Sequence, residues 1–396
     1  MLIAAEFWTE ATQVTPALPA SESTSMAAPV PYPPDYRTAL ADIDRALETA
    51  RARANRRDGG WLAQEMLARA HFERARLTGS YQDYAAAEAA LERSFGLAPD
   101  GSGPHLLQAA FDLTMHRLER SESQLDSIRR YSVPPDGDEQ AEIEAMRGDI
   151  ALYRGHYSES LRRYDQANRL RPGAADFRRA VYHAATGNPE TALNLIDRLD
   201  RRGRRISVQT KARIELQRGI IYLDRGRIRQ ARVHFDRANE VFPGYWLIEE
   251  HIAETLTLSG ELEEAERRYR DLIERTESPE FMDALASIYR QRGDRQSALR
   301  WTRRAARIWQ ERLRAFPEGT YAHALDNCLA AGDSGCAVAL AYRNHLARPY
   351  GESKALLAEA LVSAGRRQEG REVMADLLAS PWRSPRTERV ALQLAD

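Results

Sequence analysis

Glu250, His251 and Glu254 are the residues of this chain whose types and spacing come nearest to a reactive or ion-binding set. On a helix, a step of three or four residues returns to the same face, so two carboxylates would flank one imidazole. Such a trio could ligate a divalent ion, or a carboxylate could polarise the histidine. The set stops there. No His-Glu-x-x-His run occurs, and no second histidine stands at helical spacing to complete a ligand shell. A groove histidine touching a partner or solvent accounts for the same residues, so no metal or other cofactor is expected.

Other catalytic signatures are missing. Gly101-Ser102-Gly103-Pro104 lacks the lysine of a phosphate loop, Asp58-Gly59-Gly60-Trp61 reads as a turn, and no G-x-S-x-G elbow is present. Cys328 and His345 have no evident orienting carboxylate. No catalytic residue is expected, and the chain does not read as an enzyme. Cys328 and Cys336 stand eight residues apart across Gly332, a spacing that fits no zinc motif. They read as buried structural thiols in preference to a disulfide.

Glycine frames the elements that would carry these residues. Gly155, Gly187, Gly226, Gly260, Gly293, Gly332 and Gly365 recur at intervals of 32 to 39 residues. Five residues after each comes Ser160, Ala192, Ala231, Ala265, Ala298, Ala337 or Gly370, all small. Two helices joined by a tight turn cross closely, and only a small side chain lets their backbones approach. Four residues further on, the same face carries Tyr164, Ile196, Phe235, Tyr269, Thr302, Ala341 and Met374, most of them bulky. Pro172, Pro243 and Pro349 follow the second helix, where a missing N–H stops its propagation. Two of the intervals are long. One holds a polar connection over residues 201–205; the other lengthens a helix through Ile308, Trp309, Leu313 and Phe316.

Gly219, Tyr222, Gly226, Ala231, Phe235, Ala238 and Pro243, with Gly148, Ser160, Tyr164, Ala167 and Pro172, resemble the tetratricopeptide repeat family, whose unit is about 34 residues. The first aromatic position departs from that pattern, being Glu144, Asp176, Glu215 and Glu249 in four units. The resemblance spans roughly residues 61–378. It implies an all-α, right-handed α-solenoid of about eight to nine helix pairs with no sheet.

Residues 1–34 are rich in Ala, Ser, Thr and Pro and read as a disordered tail. Residues 35–136 carry a long amphipathic helix, with Leu40, Ile43, Leu47 and Ala50 on one face, and irregular helix pairs. Residues 137–380 hold the regular repeats, and residues 381–396 read as a C-terminal capping helix and tail. The first residues lack the basic n-region of a signal peptide, and no 18-residue apolar run suggests a membrane span. The default compartment is the cytoplasm of a bacterium, with export as the alternative. A net charge of −1, from 57 Lys and Arg against 58 Asp and Glu, argues against a nucleic-acid binder. The arginines Arg198, Arg201, Arg202, Arg204, Arg205, Arg225, Arg227, Arg229 and Arg232 alternate with aspartates and read as a solvated face.

The resemblance also implies that the first helix of each unit lines a concave groove. Counted from the turn glycines, its apolar part is Phe177, Val181, Leu216, Ile220 and Leu223. Towards the C-terminus it carries Glu250, Glu254, Asp283, Arg290, Asp326 and Glu359, with His251 alongside. A protein or peptide segment bearing apolar anchors and basic residues would fit. The chaperone adaptors of the family grip a carboxylate with Lys and Asn residues; the acids here speak against that mode. A non-catalytic interaction scaffold or adaptor is the leading expectation. A structural component of an exported, envelope or secretion assembly is the alternative, and a metal protein or enzyme using His251 comes third.

Overall fold

The computed structural model describes residues 33–202 and 207–395; residues 1–32 of the expected tail, and Arg204 and Arg205 of the arginine group, lie outside them. The turn glycines set the local geometry. Gly155, Gly187, Gly226, Gly260, Gly293, Gly332 and Gly365 adopt φ of 75°, 79°, 65°, 80°, 78°, 76° and 75°. Only glycine enters this left-handed region without a steric penalty, so each one ends a helix and turns the chain back. In an earlier unit His116 takes the equivalent place, with φ 58°.

Helix α1 (Tyr36–Ala54) precedes nine helix pairs. The first four are α2 (Trp61–Thr78) with α3 (Tyr81–Leu97), α4 (His105–Thr114) with α5 (Leu118–Ser127), α6 (Gly137–Tyr153) with α7 (Tyr157–Leu170), and α8 (Asp176–Ala185) with α9 (Pro189–Arg202). Then come α10 (Val208–Leu223) with α11 (Ile228–Val241), α12 (Trp246–Leu258) with α13 (Leu262–Thr276), and α14 (Pro279–Gln291) with α15 (Arg295–Ala315). The last are α16 (Tyr321–Ala331) with α17 (Ser334–Ala347), and α18 (Gly351–Ser363) with α19 (Arg367–Ala379), before α20 (Pro385–Ala395) closes the chain. No strand occurs among the described residues. The chain is an all-α solenoid of helix pairs.

Within a pair, the small residues act as expected. A Cβ on Gly148 would stand 2.4 Å from the Tyr164 ring, and one on Gly219 would stand 2.2 Å from Phe235. Three of the four acids that replace the first aromatic tie the two helices through polar contacts. Arg163 on α7 donates to Glu144 at 2.9 Å, His234 on α11 lies 2.7 Å from Glu215, and Arg275 on α13 pairs with Glu249.

Cys328 and Cys336 form a disulfide, with Cα atoms 5.8 Å apart. The expectation of free thiols is corrected: the Gly332 turn folds α17 back on α16 and brings the two half-buried cysteines face to face.

The coil closes on itself. Trp246, at the start of α12, donates its indole N–H to the Leu77 carbonyl at 2.8 Å and lies against Gly79. Phe316, before α16, packs among Tyr81, Tyr84 and Phe111. The Gly351 N–H, at the start of α18, donates to the Tyr157 hydroxyl at 2.9 Å, and the Arg383 N–H donates to the Ala185 carbonyl at 2.8 Å. Turns of the first four pairs thus seat against the loops that enter α12, α16, α18 and α20. Among the described residues, three hydrophobic clusters join residues of the first four pairs or α1 to residues beyond position 240.

Candidate functional site

Closure turns the inner face of the coil into an interior. The five apolar groove positions are core residues: Val181 and Phe177 pack with Ile214 and Ile221, while Leu216, Ile220 and Leu223 pack with α12. They do not form the open apolar groove that the repeat register implies. Phe177 and Val181 are covered by the adjacent helices α9 and α10, and Leu216, Ile220 and Leu223 belong to the large cluster that runs on to Leu361.

Charge collects in the same interior. Glu250, His251 and Glu254 project from α12 and are 0%, 0% and 3% exposed. The His251 ring stacks on Phe235, with centroids 4.9 Å apart and planes 13° apart. Its Nδ1 lies 3.3 Å from Glu250 Oε2 and 3.3 Å from Glu254 Oε2. Burial pushes the Glu250 carboxyl up to about 8, with Glu254 and Glu280 adding to the effect against the pull of His251. Burial alone would lower His251, but the two glutamates outweigh it and hold the imidazole above its usual value. Asp224, the C-cap of α10, is pushed up to about 7 by burial and by Glu352 and Glu254.

Three arginines neutralise other acids. Arg312 on α15 donates to both oxygens of Glu280, at 2.8 and 3.0 Å, and lies over the Tyr81 ring at 4.0 Å. Arg386 on α20 reaches Asp326 at 3.1 Å and Glu352 at 3.1 Å, and also pairs with Glu359. Arg389, one helical turn on, lies 3.2 Å from Glu359. Burial would raise Glu359, but these two arginines outweigh it and hold the carboxyl below its ordinary range. Asp283 accepts from Trp309 Nε1 at 2.8 Å and from Asn327 Nδ2 at 2.6 Å. Arg290 is half-buried, 3.4 Å from the Thr302 hydroxyl.

The structure therefore brings the expected acids into one interior but divides them. Asp326 and Glu359 receive an arginine of this chain's own last helix, and Asp283 is held by neutral donors. Among the described residues, the ion-pair partner of Glu250 and Glu254 is His251. Sequence reasoning missed Asp224, Glu280, Arg312, Glu352 and Arg386. A charge at a helical position reads as solvated unless the element that covers it is known, and here the covering elements are distant in sequence.

An open cleft of about 740 Å³ lies outside this interior, between α5, α6 and α7. Leu125, Ile128, Tyr131 and Ile143 line it together with Arg147 and Arg163. None of the expected groove residues reaches it.

No protein-family model matches the sequence, and no curated protein matches it. Among solved structures the chain is similar to yeast Tom70, at 13% identity over 91% of this chain and 86% of that one, with a TM-score of 0.44. It is similar to a tetratricopeptide repeat protein from Parabacteroides merdae ATCC 43184, at 18% identity over 65% and 97% of the two chains, with a TM-score of 0.41. A third likeness is to TTC0263, a thermophilic TPR protein of Thermus thermophilus, at 22% identity over 42% and 90%, with a TM-score of 0.36.

Proposed function

We propose that the protein is a non-catalytic interaction scaffold that takes a basic helical segment at the acidic end of its coil, where Asp326, Glu352 and Glu359 converge. The observation that supports this reading is α20. It lays Arg386 and Arg389 on those acids while Val390 and Leu394, 0% and 7% exposed, anchor it in the core. An apolar stripe flanked by arginines is the ligand that the groove residues called for, here supplied in cis. A partner segment of the same chemistry would compete for the same carboxylates, with charge selecting it and apolar anchors holding it.

The test compares three tag-free forms in capture from the native host: full length, a chain ending at Ala379, and full length with Asp326→Lys/Glu359→Lys. A partner enriched on the shortened chain and lost with the lysines is the expected result. Equal capture by all three, with helicity intact, would end the proposal.

The disulfide favours a second reading. Cystines persist in oxidising compartments, so Cys328–Cys336 fits an exported assembly component. No helix among the described residues is long and apolar enough to cross a membrane. Fractionation of native cells, with non-reducing peptide mapping of the Cys328–Cys336 link, separates the two. A cytoplasmic, fully reduced pool would remove the exported reading.

A further inference from the structure

The trio on α12 is the least satisfied group in the interior. Both carboxyl oxygens of Glu250, Oε1 of Glu254 and Nε2 of His251 are buried without a hydrogen-bond partner. A buried carboxylate oxygen with no donor costs free energy that neighbouring acids recover through arginines. Arg312 serves Glu280 and Arg386 serves Glu352, Asp326 and Glu359.

Distance fits an ion as well as charge does. One ligand atom from each of Glu250, His251 and Glu254 falls within 4.8 Å of the other two. The two Nδ1–carboxylate separations are both 3.3 Å. A tetrahedral ion bound at roughly 2.0–2.1 Å separates its ligands by about 3.3 Å. The donor set also selects the ion. One imidazole and two carboxylates suit zinc and its first-row neighbours, whereas calcium and magnesium call for more oxygens or bound water. Phe235, stacked on the ring, fixes the imidazole plane that presents Nδ1.

We infer that Glu250, His251 and Glu254 form a buried site for one divalent transition-metal ion of the zinc class on α12. The site would be structural. Its ligands sit in the core, at 0%, 0% and 3% exposure.

The test uses tag-free, full-length protein stripped with a chelator and dialysed against zinc, cobalt, magnesium or calcium. One zinc or cobalt ion per chain and a raised melting temperature are expected, with no effect of magnesium or calcium. Glu250→Gln/Glu254→Gln should keep its helicity and lose at least tenfold in zinc affinity. X-ray absorption of the zinc-loaded wild type gives a readout that does not depend on that variant's folding. It should show one imidazole nitrogen among oxygen neighbours. No uptake by the wild type, two or more imidazoles at the ion, or undiminished affinity in the folded variant would each overturn the inference. None of these outcomes bears on Asp326 and Glu359, so the scaffold proposal stands or falls separately.

Discussion

A carboxyl group taken out of water must find a cation, a donor or a proton, and single residues of this interior show each solution. Glu280 has Arg312, and Glu359 has Arg386 and Arg389. Asp283 has donors from Trp309 and Asn327, yet burial, helped by Glu280 and Asp326, still pushes it up to about 7. The half-buried Arg290 faces it without reversing that effect. Between pH 4 and 7 the folded state therefore keeps a proton on Asp283 that the unfolded chain has released. Stability from this group is full below about pH 4 and is lost as pH rises through about 7. Glu359 has the opposite sign, since its carboxyl is held low; its stabilisation is present above the ordinary glutamate range and lost as pH falls. In urea titrations with chelator present, the wild type should lose stability between pH 5 and pH 8. Asp283→Asn should flatten that slope, by an amount on the order of 1–3 kcal/mol. An equal slope in both proteins would show that Asp283 is not the titrating group.

At the scale of helices, the crossing residues carry the argument. Ala in place of Gly within a helix gains about 1 kcal/mol from propensity. At Gly219 the new Cβ would lie 2.2 Å from Phe235, and the ring is fully buried. Overpacking of this kind costs about 1–3 kcal/mol, and here it requires α10 and α11 to move apart. Gly219→Ala should therefore be net destabilising, by up to about 2 kcal/mol. Phe235→Leu made in the same chain should recover part of that loss, because the smaller side chain vacates the contact. A denaturation double-mutant cycle measures the coupling. Strict additivity of the two changes would mean that the crossing is not set by this pair. The same logic explains the acids at the first aromatic position, where Glu144 and Glu249 replace ring packing with arginine pairs to the second helix and Glu215 with a contact to His234.

The whole molecule departs from the behaviour of an open repeat array. In such an array each unit touches only its neighbours, and stability propagates along one dimension. Here Trp246, 4% exposed, bonds to a carbonyl 169 residues away. Trp246→Ala should cost about 3–5 kcal/mol. Hydrogen exchange on that variant should show faster opening in α2 as well as in α12 and α13. Acceleration confined to α12 and α13 would show that contact between the turns of the coil adds no stability. The closure also decides what a partner can reach. Glu250 and Glu254 are inside, while Asp326 and Glu359 are partly exposed beside α20 and occupied by its arginines.

What the sequence determined by itself was the repeat. Gly226, Ala231, Phe235 and Pro243 act within one helix pair, through a left-handed turn, a close crossing and a helix stop, and such local effects leave a period that can be counted. The register assigned to Glu250, Asp283, Asp326 and Glu359 was counted from the same period. Whether those side chains met water, an arginine or one another was decided only by the tertiary structure. Gly351 finds Tyr157 at a separation of 194 residues and Arg386 finds Asp326 at 60. No local spacing encodes those pairings. The cysteines lie between the two cases: their spacing across Gly332 was legible, but the 5.8 Å between their Cα atoms depends on how α17 folds back on α16. Burial is a property of what covers a residue. In a coil that closes on itself, the cover comes from the far end of the chain.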